Sequence, residues 1–502
     1  MGAATAETTG ETTAETTGVL IIGSGFGGIA AAVKLLRAGV RDFLILEQSE
    51  GVGGTWWDNR YPGCEVDIPS HAYSFSFMPH DWPRTHATQP ELRDYAEATV
   101  DRFALRPHLR LRTRVASVRW DAEHGRYDVA TDRGTHRARF VISAVGLLNV
   151  PRLPDWPGLD DFAGAAFHTA RWDHAVPLEG KRVAVVGTGS TAVQVVPAIA
   201  DRVARLHVFQ REPGWVEPKG ERAFTPAERA RLRRWPLYRR LYRARLFAGS
   251  MRRFRAFDVH GRAQRRMRRL CEAYLRETVS DPATRAALTP DYPWGCKRPI
   301  YASTYYPAFD LDHVELVPHP VRSVTKKGVV DALGREHEID VLILSTGFQP
   351  TRFLGGFAVT GADGRDLRAV WGDRPRAFLG VTVPGFPNFF ILYGPNTNGG
   401  FSIIAQLERQ AEIAARAIRA ARRRDRQVDT RPAAMARYLR WLDRQFTRRA
   451  SAMEAGCHNY YHAPSGANVT QWPRTHLAYY VLSRTAGRAG LVLRRRDRPD
   501  GP

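Results

Sequence analysis

Two glycine-rich turns carry the residues with the clearest chemical meaning. The first turn, Gly23, Gly25 and Gly28, fits G-x-G-x-x-G and follows a short apolar strand over residues 19–22. Glycines at these positions let a backbone approach a pyrophosphate, which lies on the N-terminus of the following helix. Glu47 ends the next predicted strand, 24 residues after Gly23, where a carboxylate accepts hydrogen bonds from a ribose. The sequence therefore predicts a dinucleotide site here.

The second turn repeats this plan further along the chain. It begins at Gly187 after an apolar strand, and its second strand leads to Arg211, again 24 residues later. An arginine suits a 2′-phosphate and an acid suits a free ribose, so we expect NADPH here and FAD at the first turn. NADH stays possible as the cofactor if the carboxylate of Glu212, and not Arg211, faces the ribose. The expected cofactor contacts of this turn are Gly187, Gly189, Ser190 and Thr191.

A third group of residues lies between the two turns. Phe162, Gly164, His168 and Trp172 are spaced as F-x-G-x-x-x-H-x-x-x-W, and Asp173 follows them. Because this segment joins two nucleotide-binding units, it can couple cofactor binding in one unit to the site in the other. We predict a linker that signals the presence of NADP to the flavin site, with the histidine and tryptophan as anchors. A purely structural role is an equally open interpretation.

The elements around these motifs predict an α/β fold with two Rossmann-like dinucleotide-binding domains, for FAD and NADPH, and a helical insertion. Residues 403–424 predict a helix that returns the chain to the first domain. Within the insertion, Thr225 and Glu228 indicate a capping box, and Pro236 disturbs the helical spacing. The predicted division is a disordered tail over residues 1–17, an FAD-binding domain over 18–150 and 376–502, an NADPH-binding domain over 151–219 and 293–375, and the helical insertion over 220–292, with a frayed basic tail at 491–502.

The charge of the chain is strongly positive and unevenly placed. The net charge is +23, and residues 221 to 277 hold 18 arginines against 5 acidic residues. A solvated helical surface in an arginine-biased protein explains this most simply. Phosphate steering and peripheral attachment to an acidic membrane surface are the sharper alternatives. No recognition motif accompanies the charge, so we expect no nucleic-acid partner.

The cysteines and the termini exclude several classes of protein. Cys64, Cys271, Cys296 and Cys457 lie far apart without any C-x-x-C, which argues against a disulfide scaffold, a zinc site and a redox-active dithiol. We expect no metal. No apolar run reaches the length of a membrane span, and the N-terminus lacks the features of a secretory signal. We therefore expect a cytoplasmic protein without a transmembrane segment.

Three motifs together resemble a known family. The F-x-G-x-x-x-H-x-x-x-W segment, the stretch GGTWWDNRYPGCEVD (residues 53–67) and GCKRP (residues 295–299) followed by YYPAF occur in the order found in class B flavoprotein monooxygenases. The final Asp173 and the preceding tryptophan are similar to the identifying motif of Baeyer–Villiger monooxygenases. The resemblance covers nearly the whole chain after about residue 18.

The resemblance implies an activity and its machinery. In this family NADPH reduces FAD, O2 adds to give a C4a-peroxyflavin, and one oxygen atom is inserted next to a ketone carbonyl to form an ester or lactone. Arg298 matches the arginine that stabilises the peroxide, and Asp67 matches the carboxylate that positions it. Lys297 matches a contact of the NADP 2′-phosphate. Arg298, Asp67, His168 and Trp172 are thus the candidate catalytic residues. The resemblance and the first turn give the flavin-side candidates as Gly23, Gly25, Phe26, Gly28, Glu47, Thr55, Trp56, Asp67, Tyr73 and Val115.

Other functions stay open at this point. A related enzyme would oxygenate an amine nitrogen or a sulfide, although Trp172 and Arg298 favour a ketone. A flavin disulfide reductase shares paired dinucleotide domains, but the missing C-x-x-C counts against it. A basic binding protein that has lost catalysis is a further alternative, against which the intact glycine turns argue. The identity of the ketone and the oligomeric state are left open.

Overall fold

The computed structural model describes residues 14–399, 402–447, 457 and 459–495. Its strands are β1 (Glu15–Ile22), β2 (Phe43–Leu46), β3 (Leu109–Arg110), β4 (Val115–Asp121), β5 (Arg126–Thr131), β6 (Gly134–Ser143), β7 (Ala165–His168), β8 (Arg182–Val186), β9 (Arg205–Phe209), β10 (Val216–Glu217), β11 (Ile300–Tyr301), β12 (Val314–Val317), β13 (Val321–Val324), β14 (Gly328–Asp331), β15 (Glu336–Glu338), β16 (Val341–Leu344), β17 (Ala358–Thr360), β18 (Phe389–Ile391), β19 (Arg426–Thr430) and β20 (Leu491–Arg495).

The α-helices are α1 (Phe26–Arg37), α2 (Thr55–Asp58), α3 (Gln89–Arg102), α4 (Ala192–Ile199), α5 (Pro226–Arg234), α6 (Pro236–Arg253), α7 (Arg262–Thr278), α8 (Pro282–Ala287), α9 (Leu367–Trp371), α10 (Ile403–Arg424), α11 (Pro432–Thr447) and α12 (His476–Ala489). Single 3-10 turns cover Arg106–His108, Leu159–Asp161, Thr169–Arg171, Ala200–Arg202, Phe254–Phe257 and Tyr306–Asp310.

The first sheet contains the first glycine turn. Its strand order is β17-β4-β5-β6-β1-β2-β3, and β18 also pairs with β6. β1 lies parallel to both β2 and β6, with Val19 opposite Phe43 and Phe140. β2 and the C-terminal halves of β1 and β6 are apolar and buried, because both faces of a parallel sheet are covered there. Helix α1 packs against α10, and their buried side chains join the core of this domain.

The second sheet contains the second glycine turn. Its order is β12-β9-β8-β16-β7, and all its pairings are parallel. β8 and β16 form its buried centre, and α4 follows β8 as a Rossmann-like unit requires. A small antiparallel sheet, β13-β14-β15, stands beside it. The predicted α/β fold class is confirmed.

The insertion is helical, with a break that the sequence indicates. Thr225 and Glu228 form the predicted capping box of α5, with both reciprocal hydrogen bonds present. Trp235 then takes an extended conformation and Pro236 starts α6, because proline fits the first position of a helix but not its interior. The sequence predicted one helix disturbed at Pro236, whereas the structure has two helices, α5 and α6, separated at Trp235. No helix in the described ranges is long and apolar enough to cross a membrane.

Three predicted segments differ from the structure. Residues 15–17 of the expected disordered tail belong to β1, because they pair with residues 136–138 of β6; residues 1–13 lie outside the described residues. Residues 491–495 of the expected frayed tail form β20, which pairs with β19, and residues 496–502 lie outside the description. β17, which falls within the predicted NADPH-binding domain, pairs with β4 of the first sheet.

Candidate active site

One large cavity lies where the two glycine turns face each other. Its volume is about 1470 Å³, and its wall includes the ends of β1 and β2, the turn before α4, and residues of the insertion. Pockets for a single small molecule are usually about 300–1,000 Å³. The cavity therefore has room for more than one ligand, at the carboxyl ends of parallel strands, where α/β proteins bind nucleotides.

The first glycine turn is closed and tightly packed. Gly23 has a φ of 99°, a left-handed conformation that favours glycine. A Cβ atom at Gly28 would overlap the carbonyl oxygen of Gly23, so the third glycine lets helix and strand meet closely. The carboxylate of Glu47, at the end of β2, accepts hydrogen bonds from the backbone and hydroxyl of Ser24 at 2.7 and 2.9 Å. The turn and its acid thus form one rigid edge of the cavity.

The second glycine turn is tightly packed at Gly187 but open at its second glycine. A Cβ atom at Gly189 would meet no heavy atom within 4 Å, so its backbone is free to approach a ligand. Arg211 is exposed at the end of β9. Lys297 forms an ion pair with the neighbouring Glu212. The two predicted 2′-phosphate contacts, Arg211 and Lys297, therefore lie at the same end of the sheet. Glu212, whose carboxylate would favour NADH if it faced the ribose, is already paired with Lys297.

The proposed catalytic pair is formed between segments 231 residues apart. Arg298 Nη2 donates to Asp67 Oδ2 at 2.7 Å. Asp67 is 10% exposed, whereas 43% of the Arg298 side chain is exposed, and both residues line the cavity. Enclosure by the cavity wall opposes the charged form of Arg298, but the adjacent carboxylate raises the pKa of the guanidinium above its ordinary value. The site thus presents a permanent positive charge to the cavity.

The predicted flavin-side stretch forms an ordered wall. Trp56 lies in α2, and its ring nitrogen donates to the hydroxyl of Tyr73 at 3.1 Å. The two rings meet edge to face with centroids 5.7 Å apart. Burial raises the pKa of Tyr73 to about 12, so the phenol stays protonated at neutral pH. Both aromatic rings are held in fixed orientations at the cavity.

The linker segment is anchored outside the cavity. His168 Nδ1 accepts from the backbone of Ala170 at 3.1 Å, and its Nε2 lies 3.0 Å from the carbonyl oxygen of Gly347. Because Nδ1 accepts, Nε2 carries the proton, and burial lowers the pKa of the ring. Trp172 packs edge to face on Phe167 with centroids 5.1 Å apart. Neither His168 nor Trp172 lines the cavity, and their contacts are those of the anchors that the sequence suggested. Their listing among the candidate catalytic residues stays a prediction.

Arg171 is the residue of this segment that does face the cavity. Its guanidinium lies 3.8 Å from the carboxylate of Asp58, the last residue of α2. Burial raises the pKa of Asp58, and Arg171 acts in the opposite direction. A residue of the linker thus contacts the helix that holds Thr55 and Trp56. No sequence pattern marks Arg171, since the motif leaves its position unspecified.

Gln194 is a second residue that sequence reasoning missed. It lies in α4, directly behind the second glycine turn, and is buried. Its Oε1 accepts from the hydroxyl of Tyr61 at 3.0 Å, and its Nε2 lies 3.0 Å from the carbonyl oxygen of Glu65 and 3.4 Å from Asp67 Oδ1. The helix of the second unit therefore holds the segment of the first unit that positions Asp67.

An ion pair and a group of tyrosines complete the cavity wall. Lys219, with a side chain only 1% exposed, pairs with Glu65 at 2.5 Å. Burial raises the pKa of Glu65, while the lysine lowers it. Tyr393 and Tyr460 stand around the guanidinium of Arg298. No local pattern marks these residues, because their partners come from distant segments.

One disulfide also borders the site. Cys296 and Cys457 are bonded with their Cα atoms 6.2 Å apart, and Asn459 donates to the carbonyl oxygen of Cys296 at 3.1 Å. The sequence analysis argued against a disulfide scaffold and did not predict this single bond, because a separation of 161 residues leaves no local signal. Cys64 and Cys271 are free, and burial raises the pKa of each thiol to about 12. Neither is a thiolate at neutral pH.

The cavity brings together most of the predicted site residues. Those on its wall are Gly23, Gly25, Phe26, Glu47, Thr55, Trp56, Asp67, Tyr73, Val115, Ser190, Thr191 and Arg298. Those off its wall are Gly28, His168, Trp172, Gly187, Gly189, Arg211 and Lys297. The glycines of the second set shape the turns, and Arg211 and Lys297 lie beyond the enclosed part of the cavity.

Comparison with known proteins decides the family. Residues 20–236 match the family described as pyridine nucleotide-disulphide oxidoreductase. A Baeyer-Villiger monooxygenase of Streptomyces coelicolor is 43% identical over 461 residues, which cover 91% of this chain and 89% of that protein. The chain belongs to the Baeyer–Villiger monooxygenase family. A second such monooxygenase, from Pseudomonas aeruginosa, is 39% identical over 93% of this chain and 89% of its own length.

Solved structures of the family agree with this assignment. An oxidized steroid monooxygenase bound to NADP has a TM-score of 0.86 at 31% identity and covers 96% of this chain and 100% of its own. A complex of the protein OTEMO with FAD and NADP has the same score and coverage at 29% identity. The resemblance, the fold class and the class of enzyme predicted from the sequence are confirmed. The two monooxygenase relatives cover 91% and 93% of this chain, whereas the match to pyridine nucleotide-disulphide oxidoreductase covers residues 20–236.

Proposed function

We propose that this monooxygenase uses FAD, NADPH and O2 to insert one oxygen atom next to a ketone carbonyl, giving an ester or lactone. The observation that carries the proposal is the Arg298–Asp67 pair on the wall of a cavity shared by both glycine turns. Bound FAD would supply the electron transfer and the activation of oxygen. The residues of the chain supply binding, a fixed charge and shelter from water.

The first glycine turn fits FAD as the resident cofactor. The backbone around Gly25 faces the cavity beside Gly54, and Glu47 holds a carboxylate where a ribose hydroxyl would lie. Thr55 and Trp56 would border the flavin, since they come directly after Gly54, which lies beside Gly25 on the same cavity wall. The enclosed character of the turn supports tight retention of a dinucleotide.

The second glycine turn fits NADPH as the exchanging cofactor. Gly189 offers an open backbone, Ser190 and Thr191 line the cavity, and Arg211 is exposed. A guanidinium binds a phosphate with two parallel hydrogen bonds, and a lysine adds a point charge. Arg211 and Lys297 would therefore select the 2′-phosphate over a free ribose.

Arg298 would act on the charge that develops during oxygen transfer. A guanidinium does not lose its proton at neutral pH, so it stabilises a negative oxygen without protonating it. Asp67 fixes its orientation, and Gln194 fixes Asp67. Preorganised charges of this kind act without reorganisation at the moment of reaction. The alternative function, oxygenation of an amine or sulfide, would be favoured by a group that protonates the oxygen, and Arg298 is not such a group.

Isotope labelling tests the proposal. Holoenzyme with NADPH and 18O2 would be given cyclic and linear ketones, with a thioether and a tertiary amine as comparison substrates. We expect one 18O atom in each ester and one ester formed per NADPH consumed. Release of hydrogen peroxide alone, or label found only in the sulfoxide or amine oxide, would contradict the ketone assignment.

Two predictions concern the chain as a whole. The division into an FAD-binding domain, an NADPH-binding domain and an insertion is proposed as predicted, with β17 added to the FAD-binding domain because it pairs there. A cytoplasmic location stays a prediction, which fractionation of producing cells tests.

A further inference from the structure

The insertion presents an apolar face that nothing in the described structure covers. Helix α6 has no buried residue along its 18 positions. Leu237 and Leu241 are 68% and 60% exposed, and Trp235 directly before the helix is 57% exposed. Residues four apart lie on the same side of a helix, so the two leucines form one stripe.

The opposite side of α6 is the one that packs on the protein. Arg243 donates to the carbonyl oxygens of His71 and Ser74 at 2.5 and 2.9 Å, and Tyr242 meets the ring of His71 edge to face. Phe247 contacts His476, the first residue of α12, with ring centroids 5.6 Å apart. These contacts fix the orientation of the helix and leave the leucine stripe outside.

Helix α12 carries further exposed apolar side chains. Leu477 and Val481 are 54% and 52% exposed and again lie four residues apart. Since α12 meets α6 through Phe247, on the packed side of that helix, these two residues are not counted with the leucine stripe. We call Trp235, Leu237 and Leu241 the outer apolar face.

Arginines border this face without acidic partners. Arg240 and Arg245 lie on α6, and Arg234 ends α5; all three are exposed, and no carboxylate of the described residues pairs with them. They belong to the segment with 18 arginines against 5 acidic residues. Apolar side chains flanked by unpaired arginines are typical of helices that lie in the interface of an anionic membrane.

Charge decides between the possible occupants. A second copy of this chain, docked through the same face, would bring two arginine-rich surfaces together in a molecule of net charge +23. A nucleic acid would satisfy the arginines but offer nothing to the leucines. An anionic lipid surface satisfies both, since its headgroups attract arginine and its acyl region accepts leucine and tryptophan.

We propose that the outer apolar face attaches the enzyme peripherally to an anionic lipid surface. The same helix also forms the cavity wall: Leu246, Gly249 and Ser250 line it, followed by Phe254 and Phe257. One end of α6 thus lies on the lipid while the other borders the cavity. Given the proposed function, the substrates would include apolar ketones that dissolve in the membrane.

Vesicle sedimentation tests the attachment without any measurement of catalysis. Holoenzyme would be mixed with sucrose-loaded vesicles of phosphatidylcholine, with and without one quarter phosphatidylglycerol, at low and high NaCl. We expect the yellow protein to sediment with the phosphatidylglycerol vesicles and to be released by salt. L237D/L241D should lower the partition coefficient at least about tenfold, because it removes the buried apolar area and adds negative charge.

Matched controls keep the test specific. L153D/L333D replaces two leucines that are equally exposed, at 66% and 74%, but lie outside the outer apolar face, and it should sediment like the wild type. Flavin content should be equal in all variants, which separates loss of attachment from misfolding. No binding to anionic vesicles at low salt, or equal binding by L237D/L241D and its control, would overturn the proposal. Binding that only arginine substitutions abolish would also overturn it, since the leucines would then have no part.

Turnover distinguishes this proposal from the proposed function. L237D/L241D should oxidise a short, water-soluble ketone at the wild-type rate and lose activity only toward a long-chain ketone held in vesicles. An enzyme that binds vesicles but oxidises no ketone would contradict the proposed function and leave the attachment standing.

Discussion

The two glycine turns share one sequence pattern but differ in the contacts that the rest of the chain makes with them. Around the first turn, Glu47 is bonded to Ser24, and Gly54 packs against Gly25. Around the second, Gly189 faces open space and Arg211 is exposed. The same motif thus makes a closed site, suited to a cofactor that stays, and an open site, suited to one that exchanges. Segments remote from the motif make this difference.

The largest difference in effect is expected when one methyl group is added to each turn. Gly28→Ala would overlap the carbonyl oxygen of Gly23, so we expect the protein to be purified without FAD and to unfold more readily. Gly189→Ala meets no atom within 4 Å and should keep its full flavin content. The absorbance of flavin per protein measures both. Equal flavin content in the two variants would show that the close contact at Gly28 is not what retains the flavin.

Removing the charge at the open turn should change the choice of nucleotide. We expect Arg211→Ala to raise the KM for NADPH about 10- to 100-fold, since a charge-assisted bidentate contact is lost. The KM for NADH should hardly change, which makes NADH the internal control. Steady-state kinetics with both nucleotides measures this. An equal rise for both would place Arg211 away from the 2′-phosphate.

Gln194 connects the two regions, and its loss should have a moderate effect. Gln194→Leu removes the acceptor of the Tyr61 hydroxyl and the amide beside Asp67. A buried polar group without a partner costs about 1–3 kcal/mol in the free energy of unfolding. Denaturant unfolding measures this cost, and the ratio of ester to NADPH consumed should fall severalfold. A variant that is destabilised but keeps the full ratio would make Gln194 a purely structural residue.

The smallest effect is expected for the linker and depends on pH. His168 is buried and neutral, and burial lowers its pKa below the ordinary value. Unfolding exposes the ring, which then takes up a proton as the pH falls below about 6.5. The stabilisation by His168 is therefore complete at pH 8 and declines as the pH falls toward the pKa of the folded state.

Comparing the wild type with His168→Asn isolates this contribution. The difference in the free energy of unfolding should be about 1–3 kcal/mol at pH 8, for two lost backbone contacts, and smaller at pH 5. Urea unfolding at both pH values measures it. A difference that grows toward pH 5 would mean that His168 is charged in the folded protein.

Local sequence patterns predicted the parts of the fold that are determined locally. The strand predicted before Glu47 and the helix predicted over about 403–424 correspond to β2 and α10, and the Thr225 capping box is present. Arg298 and Asp67 were found only through their motifs, since arginine is abundant and neither position shows a periodicity. The structure then places them 2.7 Å apart.

Contacts between distant segments explain what sequence reasoning missed. Lys219 meets Glu65 across 154 residues, and Cys296 meets Cys457 across 161. Such pairs arise when packed elements bring their surfaces together, and no short window of sequence records them. His168 is a different case: the motif marks the residue clearly, but only the structure shows that both of its ring nitrogens contact the backbone.

We propose that Arg298 with Asp67, the pair between the two glycine turns, stabilises the transition state of oxygen transfer and has no part in flavin reduction. The most direct measurement is a single turnover of Arg298→Ala: anaerobic reduction by NADPH, then mixing with O2 and ketone, with ester and hydrogen peroxide quantified. We predict reduction within a few-fold of the wild-type rate and ester formation lowered by about 10²- to 10³-fold, with hydrogen peroxide in its place. Ester formation near the wild-type level would contradict the claim.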